Sequence, residues 1–436
     1  MAEQVSSLKT GIKYKDTPIG KIPVDWELLS LEDVCDEVYR YPTYYNIEYV
    51  DPHQGVPEIR GELIKGNGEL SNNMSEYRYI AKETSLKFPK TILHEGDFVL
   101  SVRGTMGKIG YISNSLENAN MTANLMRISP NHNKVYPLWM KQFLLSDLFQ
   151  KRLNDASSAT TIKTIKAPEL KALEISLPPL PEQKKIAEIL TTVDDAIEKT
   201  AQIIENTKEA KKGLMQRLLI RGIGHQKFKK TEIGEIPEEW EVKRLGDLCD
   251  GKPEYGANVA AIDRNDRLPR YIRITDVTED GKLSAATWQS IRQDVAGPYL
   301  LNKGDFLFAR SGATVGKTYL YREEDGLSAF AGYMIRFRPN PTVLLPEFLF
   351  HYTHSILYYN WVKGILRAGA QPNINGQEYA NMPIIKPTIG EQKQIVDILN
   401  SLDEDIKKES SYKDQLESLK KGLMQVLLTG KVRVNV

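Results

Sequence analysis

Two stretches of this chain carry apolar positions at alternating steps of four and three, the spacing of one narrow stripe along a helix. The first runs through Ile186, Leu190, Val193, Ile197, Thr200, Ile204, Thr207, Lys211, Leu214 and Leu218. The second runs through Ile395, Leu399, Leu402, Ile406, Glu409, Lys413, Leu416, Lys420, Leu423 and Leu427. Both stripes are apolar at their ends and weaker in the middle, the pattern of a coiled-coil seam with polar interruptions. Pro181 sits at a first-turn position, where its missing N–H costs nothing, and Gly222 follows the last periodic residue. About 41 residues at 1.5 Å each give a helix of roughly 60 Å. A long charged helix with one narrow stripe wants a helical partner, and the chain itself supplies one. The expectation is an antiparallel coiled coil with one globular domain at each end of a rod and a pseudo-two-fold axis through its middle. The helix-pairing residues would be Ile186, Leu190, Val193, Ile197, Leu214 and Leu218 against Ile395, Leu399, Leu402, Ile406, Leu423 and Leu427.

Elsewhere the pattern changes. From about Asp36 to Leu177, and again from Asp250 to Lys386, short β-branched and aromatic runs alternate with Gly, Asn and Asp turns. "RYIRIT" and "GDFLFAR" read as strands, while "YPLWMKQFLLSDLFQKRL" and "LPEFLFHYTHSILYYNWV" read as helical. These two domains are therefore α+β. The segments fall at 1–180 and 223–388 for the globular domains, with helices at 181–222 and, with a short tail, 389–436.

The two halves repeat one another. "IGKIPVDWELLSLEDVC" (Ile19–Cys35) returns as "IGEIPEEWEVKRLGDLC" (Ile233–Cys249), so that Trp26 matches Trp240 and Leu31 matches Leu245. "IRGELIKGNGEL" from Ile59 aligns without a gap to "IRITDVTEDGKL" from Ile272, and "EGDFVLSVRGTMGK" parallels "KGDFLFARSGATVGK". "PEQKKIAEILTTVDDAIEK" matches "GEQKQIVDILNSLDEDIKK", and "KKGLMQRLL" matches "KKGLMQVLL". The markers keep their order, so the chain is a tandem duplication of roughly 210 residues, a period far too long for a solenoid.

Composition narrows the class. A chain of 436 residues suits two to four domains, and 41% hydrophobic with 26% charged residues is the balance of a globular protein. No apolar run of about 18 residues spans a membrane, and the first residues lack a signal-peptide core. The two cysteines, Cys35 and Cys249, occupy matching positions and read as small core residues rather than a disulfide. A cytoplasmic protein is expected. Net charge is +1, so any surface for nucleic acid must come from local placement of Arg and Lys.

Two recognition surfaces held at a fixed distance within one chain would suit a reader of separated DNA half-sites. The paired globular domains, each opening on "IPxxW" and followed by an "LPPLPEQKKIAEIL"-like helix, resemble the DNA-specificity subunit of type I restriction-modification systems. The resemblance covers nearly the whole chain, in both halves. It implies two target recognition domains that bind double-stranded DNA at an asymmetric bipartite site, and helical regions that dock modification subunits. It further implies two methyltransferase subunits using S-adenosylmethionine and, optionally, two restriction subunits using ATP and Mg, with no cofactor in this chain. Such a subunit is not itself an enzyme. The second copy departs from the pattern, "KPTIGEQ" replacing "LPPLPEQ", and Gly390 in place of Pro181 weakens the helix start there.

Candidate DNA contacts follow from residue type. "GATVGKT" is no phosphate-binding loop of the Walker kind, since three residues separate Gly312 from Gly316 where four are needed, and the counterpart "GTMGK" has two. Each loop reads as a hairpin turn after a strand, with glycines supplying positive φ. Within the family, such a loop lets backbone approach DNA closely, with Arg103, Lys108, Arg310 and Lys317 reaching phosphates or bases. Arg270 and Arg273, with Arg60 as the first-half counterpart of Arg273, are further candidates, against the alternative of a structural ion pair. Gln371 and Asn373 have amides that match the adenine N6/N7 pattern, against ordinary turn chemistry.

The six histidines form no ligand set at metal spacing, and no Ser-His-Asp motif or methyltransferase glycine motif is present. A nuclease or methyltransferase with an unrecognised site is one rival reading, and a coiled-coil adaptor that touches only protein is the other.

Overall fold

The computed structural model describes residues 13–40, 47–103, 105–157, 163–366 and 372–436. Two long helices dominate it, Leu180–Arg221 and Ile389–Leu427. The chain divides into two compact units, Met1–Ala201 with Ser410–Val436, and Gln202–Glu409. Each unit therefore owns half of each long helix.

In the first unit Ile186, Ala187 and Leu190 are buried in one core with Leu427 and Leu428, and Leu423 and Met424 pack against it. Further along, Lys420 Nζ meets Asp194 Oδ1 at 2.7 Å. Residue numbers rise on one helix as they fall on the other, so the helices pair antiparallel. The second unit repeats this. Met215, Leu218 and Leu219 share a core with Ile395, Val396 and Leu399, with Leu214 packed against it, and Lys211 Nζ meets Asp403 Oδ2 at 2.6 Å. Val193, Ile197, Leu402 and Ile406 are half-buried, whereas Thr200, Ile204 and Leu416, further along the two helices, are buried.

Each globular part is built on a four-stranded antiparallel sheet in the same order. In the first unit the strands are Cys35–Arg40, Leu125–Pro130, Phe98–Ser101 and Ile109–Tyr111. In the second they are Glu254–Tyr255, Met334–Phe337, Phe306–Ala309 and Thr318–Leu320. The middle strands are buried on both faces, which is why they read as continuous apolar runs rather than alternating ones. Two short helices cover each sheet, Pro137–Leu145 and Asp147–Ala156 in one unit, Pro346–Thr353 and Ile356–Ile365 in the other. Even minor features recur. An isolated bridge joins Ile64 to Leu70, and its counterpart joins Val277 to Leu283.

The tryptophan openings lock onto the starts of the long helices. Trp26 Nε1 donates to Glu182 Oε2 at 3.0 Å, and Trp240 Nε1 donates to Glu391 Oε2 at 2.8 Å. Each glutamate also meets a basic side chain three residues beyond a glycine of positive φ. Arg433, after Gly430, donates from Nε to Glu182 Oε1 at 2.5 Å, and His225, after Gly222, lies 2.9 Å from Glu391 Oε1. The neighbouring glutamine seals the helix start. Gln183 accepts from the Tyr136 N–H and donates to the Lys134 and Pro178 carbonyls; Gln392 accepts from the Leu345 N–H and donates to the Val343 and Pro387 carbonyls. The second helix thus begins at Ile389, the equivalent of Leu180, despite Gly390. The Glu-Gln pair holds the turn, whichever residue precedes it.

Cys35 and Cys249 are free thiols, one in each unit, and burial pushes both up to about 12. No helix among the described residues is long and apolar enough to cross a membrane.

Candidate nucleic-acid interface

A buried ion pair in each sheet joins one middle strand to the residue that opens the other, at the strand end away from the glycine loop. Arg127 Nε donates to Asp97 Oδ2 at 2.8 Å, and Arg336 Nη1 donates to the equivalent Asp305 Oδ2 at 3.3 Å. At the other end of these strands the loops turn as hairpins. Gly107 (φ 95°) follows Phe98–Ser101, while Gly312 (φ 73°) and Gly316 (φ 90°) follow Phe306–Ala309, all in the left-handed region that disfavours a Cβ. Each loop forms one lip of an open cleft.

The first unit's cleft has a volume of about 420 Å³. Arg60, Arg78, Arg103 and Lys108 line it against the single carboxylate of Glu62. Not all of these cations are available. Arg60 donates to Glu62 Oε1 and to the Glu76 carbonyl, each at 2.6 Å, and Lys108 Nζ donates to the Gly61 carbonyl at 3.2 Å. Arg103 is exposed and forms no ion pair among the described residues. Arg40, at the end of its strand, has its pKa lowered by desolvation and by the like charge of Arg103. Neither composition nor motif had marked Arg40; its position at a strand end beside a loop was the available signal.

The second unit's cleft has a volume of about 600 Å³ and a different chemistry. Arg310 and Asn373 line it together with Tyr255, Tyr333 and Asn258, three residues that no sequence motif had marked. The Arg310 guanidinium lies 5.0 Å from the Tyr255 ring centroid, a cation–π distance, and its Nε is 3.5 Å from Asn373 Oδ1. A bridge from Ser311 to Asn373 and the bond from Ile374 N–H to the Arg310 carbonyl hold the two segments together. Tyr333 is 60% exposed, an unusual setting for a large ring.

The remaining candidates lie outside the second cleft's lining. Lys317 Nζ pairs with Glu279 Oε1 at 2.8 Å. Arg273 is fully engaged: Nε and Nη2 donate to the two Asp276 carboxylate oxygens at 3.0 and 2.8 Å, and further donors reach Gln289 and the Thr287 carbonyl. The bonds to Asp276 hold the Arg273 pKa above the usual range. Arg270 is buried with its guanidinium 4.8 Å from the Trp288 ring centroid. Gln371 lies outside the described residues. Among the described residues no His, Cys, Asp and Glu gather as a metal-holding group.

Two copies of one family model, the type I restriction modification DNA specificity domain, match residues 23–208 and 237–418. The chain belongs to this family. It is a DNA specificity subunit, a recognition component rather than an enzyme. Among its relatives, a protein of Methanocaldococcus jannaschii named the type I restriction enzyme MjaVIII specificity subunit is 27% identical over 434 residues, covering 97% of this chain and 96% of the relative. The EcoBI specificity subunit of Escherichia coli is 25% identical over 248 residues, 55% of this chain and 48% of the relative. The fold is similar to a solved type I restriction-modification S subunit from M. genitalium, with a TM-score of 0.54, 14% identity and coverage of 94% and 98% of the two chains.

Proposed function

We propose that this chain reads an asymmetric bipartite site on double-stranded DNA, one half-site in each cleft, and scaffolds the subunits that act there. The observation that carries this reading is that one sheet frame, repeated strand for strand, supports two clefts with different side chains. Identical frames set the same mode of approach, and unlike lips select unlike bases. The candidate contacts are Arg60, Arg103 and Lys108 in the first unit and Arg270, Arg273, Arg310, Lys317, Gln371 and Asn373 in the second. Of these, Arg103, Arg310 and Asn373 are the best placed. The partners are two methyltransferase subunits supplying S-adenosylmethionine-dependent adenine methylation and, where present, two restriction subunits requiring ATP and Mg, all in the cytoplasm. This chain holds none of those cofactors.

The test is a domain exchange. Residues 250–386 are replaced by the matching segment of another family member, the protein is expressed with its methyltransferase partners, and genomic methylation is sequenced. One half-site should change and the other should persist. A motif unchanged in both halves, or changed in both, would refute the assignment. Absence of salt-sensitive DNA binding even with the methyltransferase present would favour the adaptor reading instead.

A further inference from the structure

The register of the two sheets gives position-by-position equivalence between the clefts. Leu125 pairs with Ser101 as Met334 pairs with Ala309, and the Val102 N–H donates to the Asn124 carbonyl as the Arg310 N–H donates to the Tyr333 carbonyl. Val102 is therefore the equivalent of Arg310, Arg103 of Ser311, and Asn124 of Tyr333. Across the sheet Arg40 pairs with Met126 as Tyr255 pairs with Ile335, so Arg40 stands where the second unit has Tyr255. The arginine of each lip has moved by one residue, and its neighbours have changed with it.

The groups offered at the two lips differ accordingly. Arg103 lines the first cleft with Arg40 near it, and neither forms an ion pair among the described residues. Among the described residues no acceptor holds either fork. In the second cleft Arg310 is held over the Tyr255 ring with its Nε 3.5 Å from Asn373 Oδ1, and the Asn373 amide and the Tyr333 phenol share the surface with it.

Base edges sort by the same chemistry. Guanine offers two acceptors, O6 and N7, to a bidentate arginine in the major groove, whereas adenine matches an amide and thymine offers a methyl to an apolar surface. We propose that the first unit selects a G·C pair through Arg103, and that the second selects an A·T pair through Asn373 with the Tyr333 ring against the thymine methyl. This deepens the DNA-recognition reading and rests on it.

The experiment sequences the methylated motif of the full chain with its methyltransferase partners, for the wild type and for Arg103→Ser, Tyr333→Asn and Asn373→Ala. Arg103→Ser should relax one G·C position in one half-site, with discrimination there falling about 10- to 100-fold, corresponding to ~1–3 kcal/mol. Tyr333→Asn and Asn373→Ala should relax an A·T position in the other half. If Arg103→Ser abolishes methylation, Arg103→Lys and anisotropy on duplexes altered at single positions decide the matter: loss of G·C preference in the serine variant and its retention in the lysine variant are expected. Relaxation of an A·T position by Arg103→Ser would overturn the base assignment while leaving the recognition reading standing. Wild-type motifs in all three variants would overturn the base assignment, and the domain exchange decides separately whether the recognition reading stands.

Discussion

Trp26 donates its indole N–H to Glu182, a residue 156 positions away at the start of the first long helix. Arg433 closes on the same carboxylate from the other side and also binds Asp25 through Nη1 and Nη2 at 2.8 and 2.7 Å. Hydrogen bonds donated to Glu182 and then to Asp25 hold the Arg433 guanidinium in its charged form. Glu182→Ala leaves a buried indole N–H without an acceptor and Arg433 with one partner. It should lower the stability of the first unit by about 2–4 kcal/mol, because removing one member of a buried pair strands the other. Urea denaturation followed by Trp fluorescence checks this.

Two glycines at the C-terminal end of the first long helix should respond in opposite directions. A Cβ at Gly222 would meet Glu391, His225 and Trp240 atoms at 2.6 Å, on a backbone of positive φ. Gly213, inside the helix, has nothing within 4 Å of such a Cβ. Gly222→Ala should therefore destabilise by roughly 2–4 kcal/mol, since strain and overlap add. Gly213→Ala should stabilise by about 0.5–1 kcal/mol through helix propensity alone. Thermal melts of the two variants give the comparison.

His351 lies buried between its helix and the second long helix, with Nε2 3.0 Å from Asn400 Oδ1. Desolvation and then the charge of Lys211 push its pKa down to about 4, and the Asn400 bond and Asp403 oppose this only in part. The unfolded chain, near pH 6.5, binds the proton first. Stability from neutral His351 is thus complete above pH 6.5 and falls as pH drops toward 4, by roughly 3 kcal/mol in all. His351→Gln should flatten the stability profile of the second unit between those values, as read by denaturant melts across the range.

The seam carries a matched pair of ion pairs, Lys211 with Asp403 and Lys420 with Asp194. Their side chains are partly exposed, so each is worth at most about 1 kcal/mol. Asp403→Lys should destabilise by that order, and Lys211→Asp combined with Asp403→Lys should restore it. The restoration should shrink in high salt, which screens the exposed pair. Urea melts at low and high salt measure both changes.

DNA binding gives the remaining test. Arg103→Ala should weaken binding to the cognate duplex, with the salt slope falling by about one if the residue also touches a phosphate. Arg273→Ala should act chiefly on folding, because it strands the buried Asp276. Fluorescence anisotropy beside a thermal melt separates the two effects.

The duplication, the long helices and the equivalence of Trp26 and Trp240 were legible because the same words recur in order, and because an apolar stripe of period 3.5 over forty or so residues belongs to a helix that pairs with another. The clefts were legible only in outline. Arg103 and Arg310 fall in parallel motifs, yet they occupy successive positions on the frame: with Asp97 matched to Asp305, Arg103 falls opposite Ser311 and Val102 opposite Arg310. Arg60 and Arg273 do occupy equivalent positions, but their ion pairs depend on Glu62 and Asp276, which look alike in any charged turn. Tyr255 and Tyr333 carried no period or motif, and only the folded sheet brings them beside Arg310.

The buried Asp97–Arg127 and Asp305–Arg336 pairs brace each sheet at the strand end away from the lips of its cleft. Substitutions on exposed lips commonly cost within about 0.5 kcal/mol, whereas changes to the buried frame would cost several times more. Selection can therefore explore new target sequences by drifting the lips while the frame keeps its stability. The protein is built so that its specificity is the cheapest property to change.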